Sequence, residues 1–124
     1  GGQQWRPLIS VDDAARALTM CIESSIELVG AEIFNAGDKD LNYKVIDVGR
    51  EIVSLMPKAK LIQNSSSQDE RNYNVDFSKI NTRLNYRCKT TLRAGITDVA
   101  KMINDRNIRD YNYKFYHNLL TLRG

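Results

Sequence analysis

Two arginines stand in frames suited to gripping an anion. Arg6 lies in Gln3-Gln4-Trp5-Arg6-Pro7-Leu8-Ile9-Ser10-Val11-Asp12-Asp13, and Arg71 follows far downstream in Asp69-Glu70-Arg71-Asn72-Tyr73. A guanidinium is planar, permanently charged and able to make bidentate hydrogen bonds, so arginines from two separate loops can straddle a diphosphate. The competing reading is a pair of surface ion pairs, Arg6 with Asp12 or Asp13 and Arg71 with Asp69 or Glu70. From the residues alone both readings stand.

The remaining reactive side chains assemble into no catalytic pattern. Asp12 and Asp13 are adjacent, so at a helix start their side chains diverge, and no third ligand is near; they are read as helix caps rather than as an acid/base or metal pair. Cys21 and Cys88 have no Cys-x-x-Cys or Cys/His spacing, so no metal site is predicted, and free thiols suit a reducing cytoplasm. His117, the single histidine, has no serine or cysteine at an informative distance. Lys114 follows Tyr111 by three positions and Tyr113 by one, whereas a shared helical face needs a matched i, i+4 pair. No Gly-x-Gly-x-x-Gly turn occurs either. Catalytic residues are therefore assigned to none.

At 124 residues, 42% hydrophobic and 27% charged, the chain has the makings of a single folded domain or part of one. Its net charge of +3 is uneven: residues 87–124 hold eight basic against three acidic side chains, an excess of +5 that leaves −2 upstream. A basic end favours anionic partners but is more often a solvated face. No leader peptide or membrane-length apolar run is evident, so a cytoplasmic protein is expected.

The periodicity predicts which elements must position the arginines. Ala14, Ala15, Leu18, Cys21 and Ile22 predict a helix over about residues 13–24, capped by Asp12 or Asp13. Glu32-Ile33-Phe34-Asn35 reads as a short buried strand ending in the turn Ala36-Gly37-Asp38. Val45, Val48, Ile52, Leu55 and Met56 form a second helical stripe stopped by Pro57, and Gly49 weakens it. Lys60-Leu61-Ile62-Gln63 reads as a strand, and residues 64–70, which have no apolar side chain, read as a loop. Ser78 starts a helix bearing Ile80 and Leu84. Thr90 or Thr91 caps another, through about Asn104, with Leu92, Ile96, Val99, Ala100 and Ile103 on one face. The aromatic run from Tyr111 to Leu120 needs a surface to cover, which the sequence does not choose.

In their order and spacing, residues 5–16, 34–38 and 71–79, with weaker matches at 84–86 and 91–96, resemble the C-terminal region of the extended short-chain dehydrogenase/reductase family. These are the NAD-dependent sugar-nucleotide epimerases and dehydratases. Departures are that many members have Arg-Asp and an aromatic where Arg6-Pro7-Leu8 stands, and Leu-Gly-aromatic where Leu84-Asn85-Tyr86 stands. The resemblance implies an α/β fold, an α+β fragment of a larger enzyme. Residues 1–40 would be the last helix and strand of a Rossmann-type domain, 41–105 a small, mainly helical substrate-binding domain, and 106–124 a basic aromatic tail. It also implies that Arg6 and Arg71 hold the diphosphate of a nucleotide-sugar and that Tyr73 lies beside the nucleotide. Asn35 and Gly37 would then form the turn that ends the strand. NAD or NADP would bind the N-terminal half of an intact enzyme and not this chain alone. The expected partners are the nucleotide-sugar, that missing half and a second copy.

The alternative is a stand-alone module that docks a protein or nucleic acid through the basic aromatic tail, although no nucleic-acid motif is present. On the first reading the 124-residue chain has no dehydrogenase, epimerase or dehydratase turnover, because hydride transfer needs a held nicotinamide. Spectrophotometric assay for NADH with nucleotide-sugars and purified chain checks this; sustained formation, free of contaminating enzyme, would refute it.

Overall fold

The computed structural model describes residues 1–63, 71–105, 110 and 113. The loop expected at 64–70 lies outside the described residues, as does nearly all of the tail, His117 and Lys114 included. Among the described residues the architecture is mixed: five α-helices and one two-stranded antiparallel sheet, in the order β1 (Trp5–Pro7), α1 (Val11–Glu23), α2 (Ile26–Val29), a 3₁₀ turn (Lys39–Leu41), β2 (Asn42–Lys44), α3 (Val45–Leu55), α4 (Ser78–Arg83) and α5 (Leu92–Asn104). No helix among them is long and apolar enough to cross a membrane.

The two strands form where the sequence showed none, and the two sequence-predicted strands do not form. β1 and β2 pair with Trp5 opposite Lys44, Arg6 opposite Tyr43 and Pro7 opposite Asn42. Three-residue strands are too short to display an alternating pattern. Residues 32–35 and 60–63 have β-favouring composition but no ladder partner among the described residues. Ile33 and Ile62 stand 84% and 83% exposed there, so the expected buried strand at 32–35 is corrected to an irregular segment in which Phe34 packs on the core and Ile33 faces out. Strand propensity expresses fit to a neighbouring strand and has little force without one.

The helices follow their periodicity more closely. Thr91 caps α5 by accepting from the Ala94 amide. α4 begins at Ser78, whose amide and hydroxyl donate to the Asp76 carboxylate at 2.8 and 3.0 Å. Gly49 sits within α3 where a Cβ would lie 2.7 Å from Leu61 Cδ1, so the side chain of Leu61 occupies the space the glycine leaves. The core joins Ala17 of α1 to Phe77, Ile80, Leu84 and Tyr86, with Met20, Cys21, Phe34 and Val75 packed around them.

α1 differs from expectation in its cap and its face. Ser10, extended at φ −71 and ψ 152, is the N-cap and accepts the Asp13 amide at 3.1 Å. Asp12 and Asp13 already lie inside the first turn, where they complement the helix dipole but do not cap the helix. The helix buries Asp13 and Ala17, whereas Val11, Leu18 and Ile22 are 81%, 68% and 83% exposed. Of the predicted stripe, Leu18 and Ile22 face away from this core, while Cys21 packs on it.

Asp13 is 1% exposed and is the hub of a fully satisfied polar network. Its carboxylate accepts the amides of Lys89 and Thr90, each at 2.9 Å, and pairs with Arg16 of the same helix. Its main-chain oxygen accepts the hydroxyl of the fully buried Tyr86 at 2.7 Å. Burial alone would raise the Asp13 carboxyl, but the Lys89 and Thr90 amides and the Thr90 and Ser10 hydroxyls outweigh it and hold the group below the ordinary carboxylate value. Burial pushes the Tyr86 phenol up, and the Cys88 thiol too, the opposite of what an activated nucleophile needs. Asn85, between Leu84 and Tyr86, takes φ +50, a left-handed conformation that glycine and asparagine tolerate best.

Asp13→Ala leaves two amides and Arg16 without their acceptor and should cost about 3 kcal/mol, read as a lower urea midpoint. The carboxylate's contribution should be full above about pH 4 and fall away as pH drops below it through the lowered native value. A variant whose acid unfolding parallels the parent's would show that Asp13 holds nothing together.

Candidate functional site

β1 is the platform of the site. On one side it pairs with β2; on the other, the segment that carries Arg71 and Tyr73 runs past it. The Trp5 amide, at the start of β1, donates to Oδ1 of Asn72 at 2.9 Å. Arg6 then reaches across: its Nη1 donates to the main-chain oxygens of Trp5, at 2.6 Å, and of Arg71. The guanidinium carbon lies 5.2 Å from the centroid of the Tyr73 ring, a cation–π distance. Arg6 thus meets the main chain of Arg71 and the ring of Tyr73, although Arg6 and Arg71 are 65 positions apart.

This geometry sets the plane of the Arg6 guanidinium from three directions. Nη1 is anchored edge-on to two carbonyls and one face is covered by a phenol ring. Arg71 and Tyr73 are exposed, so the group sits at the surface. Asp13, one of the acidic partners weighed for Arg6 from the sequence, is engaged by Arg16 instead. Asp69 and Glu70, weighed for Arg71, lie outside the described residues.

Two clefts lie on this surface. One of about 230 Å³ is bounded by Pro7, Leu8 and Ile9, which follow Arg6, by Val75 and Phe77, which lie just after Tyr73, and by Asn35 and Ala36. The other, about 330 Å³, lies between α3 and the start of α5 at Tyr43, Asp47, Glu51 and Arg93; an Arg93–Glu51 ion pair of 2.7 Å spans it, and it shares no residue with the arginine cluster. Among the described residues no group of three or more metal-ligating side chains comes together.

The turn after residues 32–35 contributes to the same surface. Asn35 Nδ2 donates to the Asp76 carbonyl at 3.1 Å. Gly37 is buried, and a Cβ on it would lie 2.6 Å from Cζ of Phe77, so only glycine lets the chain pass the ring. Of the asparagines that fasten this segment, Asn35 is the turn residue expected from the resemblance, whereas Asn72 and Asn42 were not singled out from the sequence. No spacing marks them; the only signal is that a carboxamide carries both a donor and an acceptor.

Comparison with protein-family models, with curated proteins and with solved structures finds no match for this chain. The class it defines on its own evidence of fold is therefore a small mixed α/β one, with an arginine–tyrosine cluster on the outer edge of a two-stranded sheet.

Gly37→Ala should lower stability by about 1–3 kcal/mol through overpacking against Phe77, measured as a drop in thermal midpoint. A midpoint equal to the parent's would mean that the ring has room to move.

Proposed function

We propose that the chain is the substrate-binding, C-terminal portion of an NAD(P)-dependent nucleotide-sugar epimerase or dehydratase of the extended short-chain dehydrogenase/reductase type, and that Arg6, Arg71 and Tyr73 receive the nucleotide diphosphate. The observation that carries this reading is the convergence of those three residues, from two distant segments, on one edge of β1. A guanidinium held in a fixed plane has already lost much of the freedom that binding an anion would cost it. An aromatic face beside it suits a nucleotide.

Two further features favour the same reading. Asn85 adopts a left-handed backbone at the position where relatives of the resembling family have glycine. The exposed apolar line of α1, Val11, Leu18 and Ile22, and a segment at 32–35 with no ladder partner among the described residues are what the last helix and strand of a larger sheet would show without their neighbours.

Among the described residues no glycine forms a cradle for the cofactor's phosphates. Gly37 and Gly2 pack against Phe77 and Ile46, Gly30 ends α2, and Gly49 and Gly95 lie inside helices, so none forms a strand-to-helix phosphate turn. On this reading the chemistry of hydride transfer belongs to residues outside this chain, and the role proposed here is to bind and orient.

Titration of the 124-residue chain with a nucleoside-diphosphate sugar should give weak, saturable binding near the millimolar range, about −4 kcal/mol, because only one wall of a cleft is present. Amide and side-chain resonances of Trp5, Arg6 and Tyr73 should move together, and sugar 1-phosphate, which lacks the diphosphate, should move them far less. Shifts confined to other residues, or none at all, would overturn the assignment.

A further inference from the structure

Residues 71–77 run past the sheet without a ladder of backbone hydrogen bonds, yet they carry two of the three clustered residues. One of the groups that fasten them is a side chain of β2. The carboxamide of Asn42 accepts the Val75 amide on Oδ1 at 3.0 Å and donates from Nδ2 to the Val75 carbonyl at 3.1 Å. This is the pair of bonds that a neighbouring strand would exchange with Val75, made by one side chain. Asn42 is partly buried and stands opposite Pro7 in the β1–β2 register, one position beyond Arg6. Val75 is two residues from Tyr73. A single carboxamide thus spans the strand pair that bears Arg6 and the segment that bears Arg71 and Tyr73.

We infer that Asn42 is a positioning residue, which sets the distance between the Tyr73 ring and the Arg6 guanidinium by holding Val75 against β2. Its distal bond, from Nδ2 to the Lys39 carbonyl at 3.4 Å, also ties it to the 3₁₀ turn, so the amide is fixed at both ends of its reach. Asn72 assists from the other side through the Trp5 amide but leaves Val75 untouched. The positioning role is a property of the unliganded chain; its bearing on ligand affinity rests on the function proposed above.

The test reads the two separately. In the unliganded 124-residue chain, the Tyr73 ring over Arg6 should displace the Arg6 side-chain proton resonances upfield. Asn42→Ala should abolish that displacement while the far-ultraviolet circular dichroism stays that of a folded chain. Asn42→Asp retains the acceptor for the Val75 amide and loses the donor to its carbonyl, so it should lose part of the displacement. In the parent chain the Val75 amide should be protected from hydrogen exchange. An undiminished displacement in folded Asn42→Ala, or rapid exchange at Val75 in the parent, would overturn the inference. If Asn42→Ala does not fold, Asn42→Asp and the exchange of Val75 decide it in the same terms. Nucleoside-diphosphate-sugar binding should weaken by roughly tenfold in Asn42→Ala, the scale of two ordinary hydrogen bonds. Absence of binding by the parent would count against the proposed function and leave the resonance and exchange results to judge Asn42.

Discussion

The buried carboxylate of Asp13 is the constraint on which the described fold rests. It lies in the first turn of α1, and its acceptors are filled by the Lys89 and Thr90 amides and by Arg16, while its main chain takes the Tyr86 hydroxyl. A charge removed from water is tolerated only when every lone pair finds a donor, so the position of residues 86–90 against α1 is determined closely. That contact closes the core around Phe77, Ile80, Leu84 and Tyr86. It also fixes the start of α1, only four residues after β1 ends, and so limits where Arg6 can stand.

From that frame the arginine cluster follows with little regular structure. Residues 71–77 are held by carboxamides, Asn72 on the Trp5 amide, Asn42 on both polar groups of Val75, and Asn35 on the Asp76 carbonyl. Side-chain amides can replace a strand without requiring a matching sequence of residues, at the cost of fewer bonds per residue. The result is a surface segment with defined anchor points, as the proposed binding role of Arg71 and Tyr73 would need.

Helical periods were the most readable part of the sequence. α3, α4 and α5 lie close to where the sequence placed them: α3 ends before Pro57, Thr91 caps α5, and α4 starts at Ser78, although its N-cap is Phe77, whose side chain makes no capping bond. α1 was legible as a helix but not in its orientation, since the sequence shows an apolar face and not what covers it. The strands were illegible in both directions: three residues carry no period, and a β-favouring run such as residues 32–35 becomes a strand only beside another. For the site, Arg6, Arg71 and Tyr73 were picked out through a resemblance; the structure sets the Arg6 side chain against the Arg71 carbonyl and the Tyr73 ring. The asparagines that hold them could not have been read from spacing, because carboxamide partners are set by the tertiary fold.

The central claim is that Arg6 and Arg71 share one diphosphate. Phosphorus NMR of a nucleoside-diphosphate sugar observes that group directly as the 124-residue chain is added. Both diphosphate resonances should shift and broaden with the parent chain, and the change should be largely lost with Arg6→Ala and again with Arg71→Ala, while lysine at either position restores only part of it. Equal shifts with the parent and both alanine variants, each shown to be folded, would contradict the account.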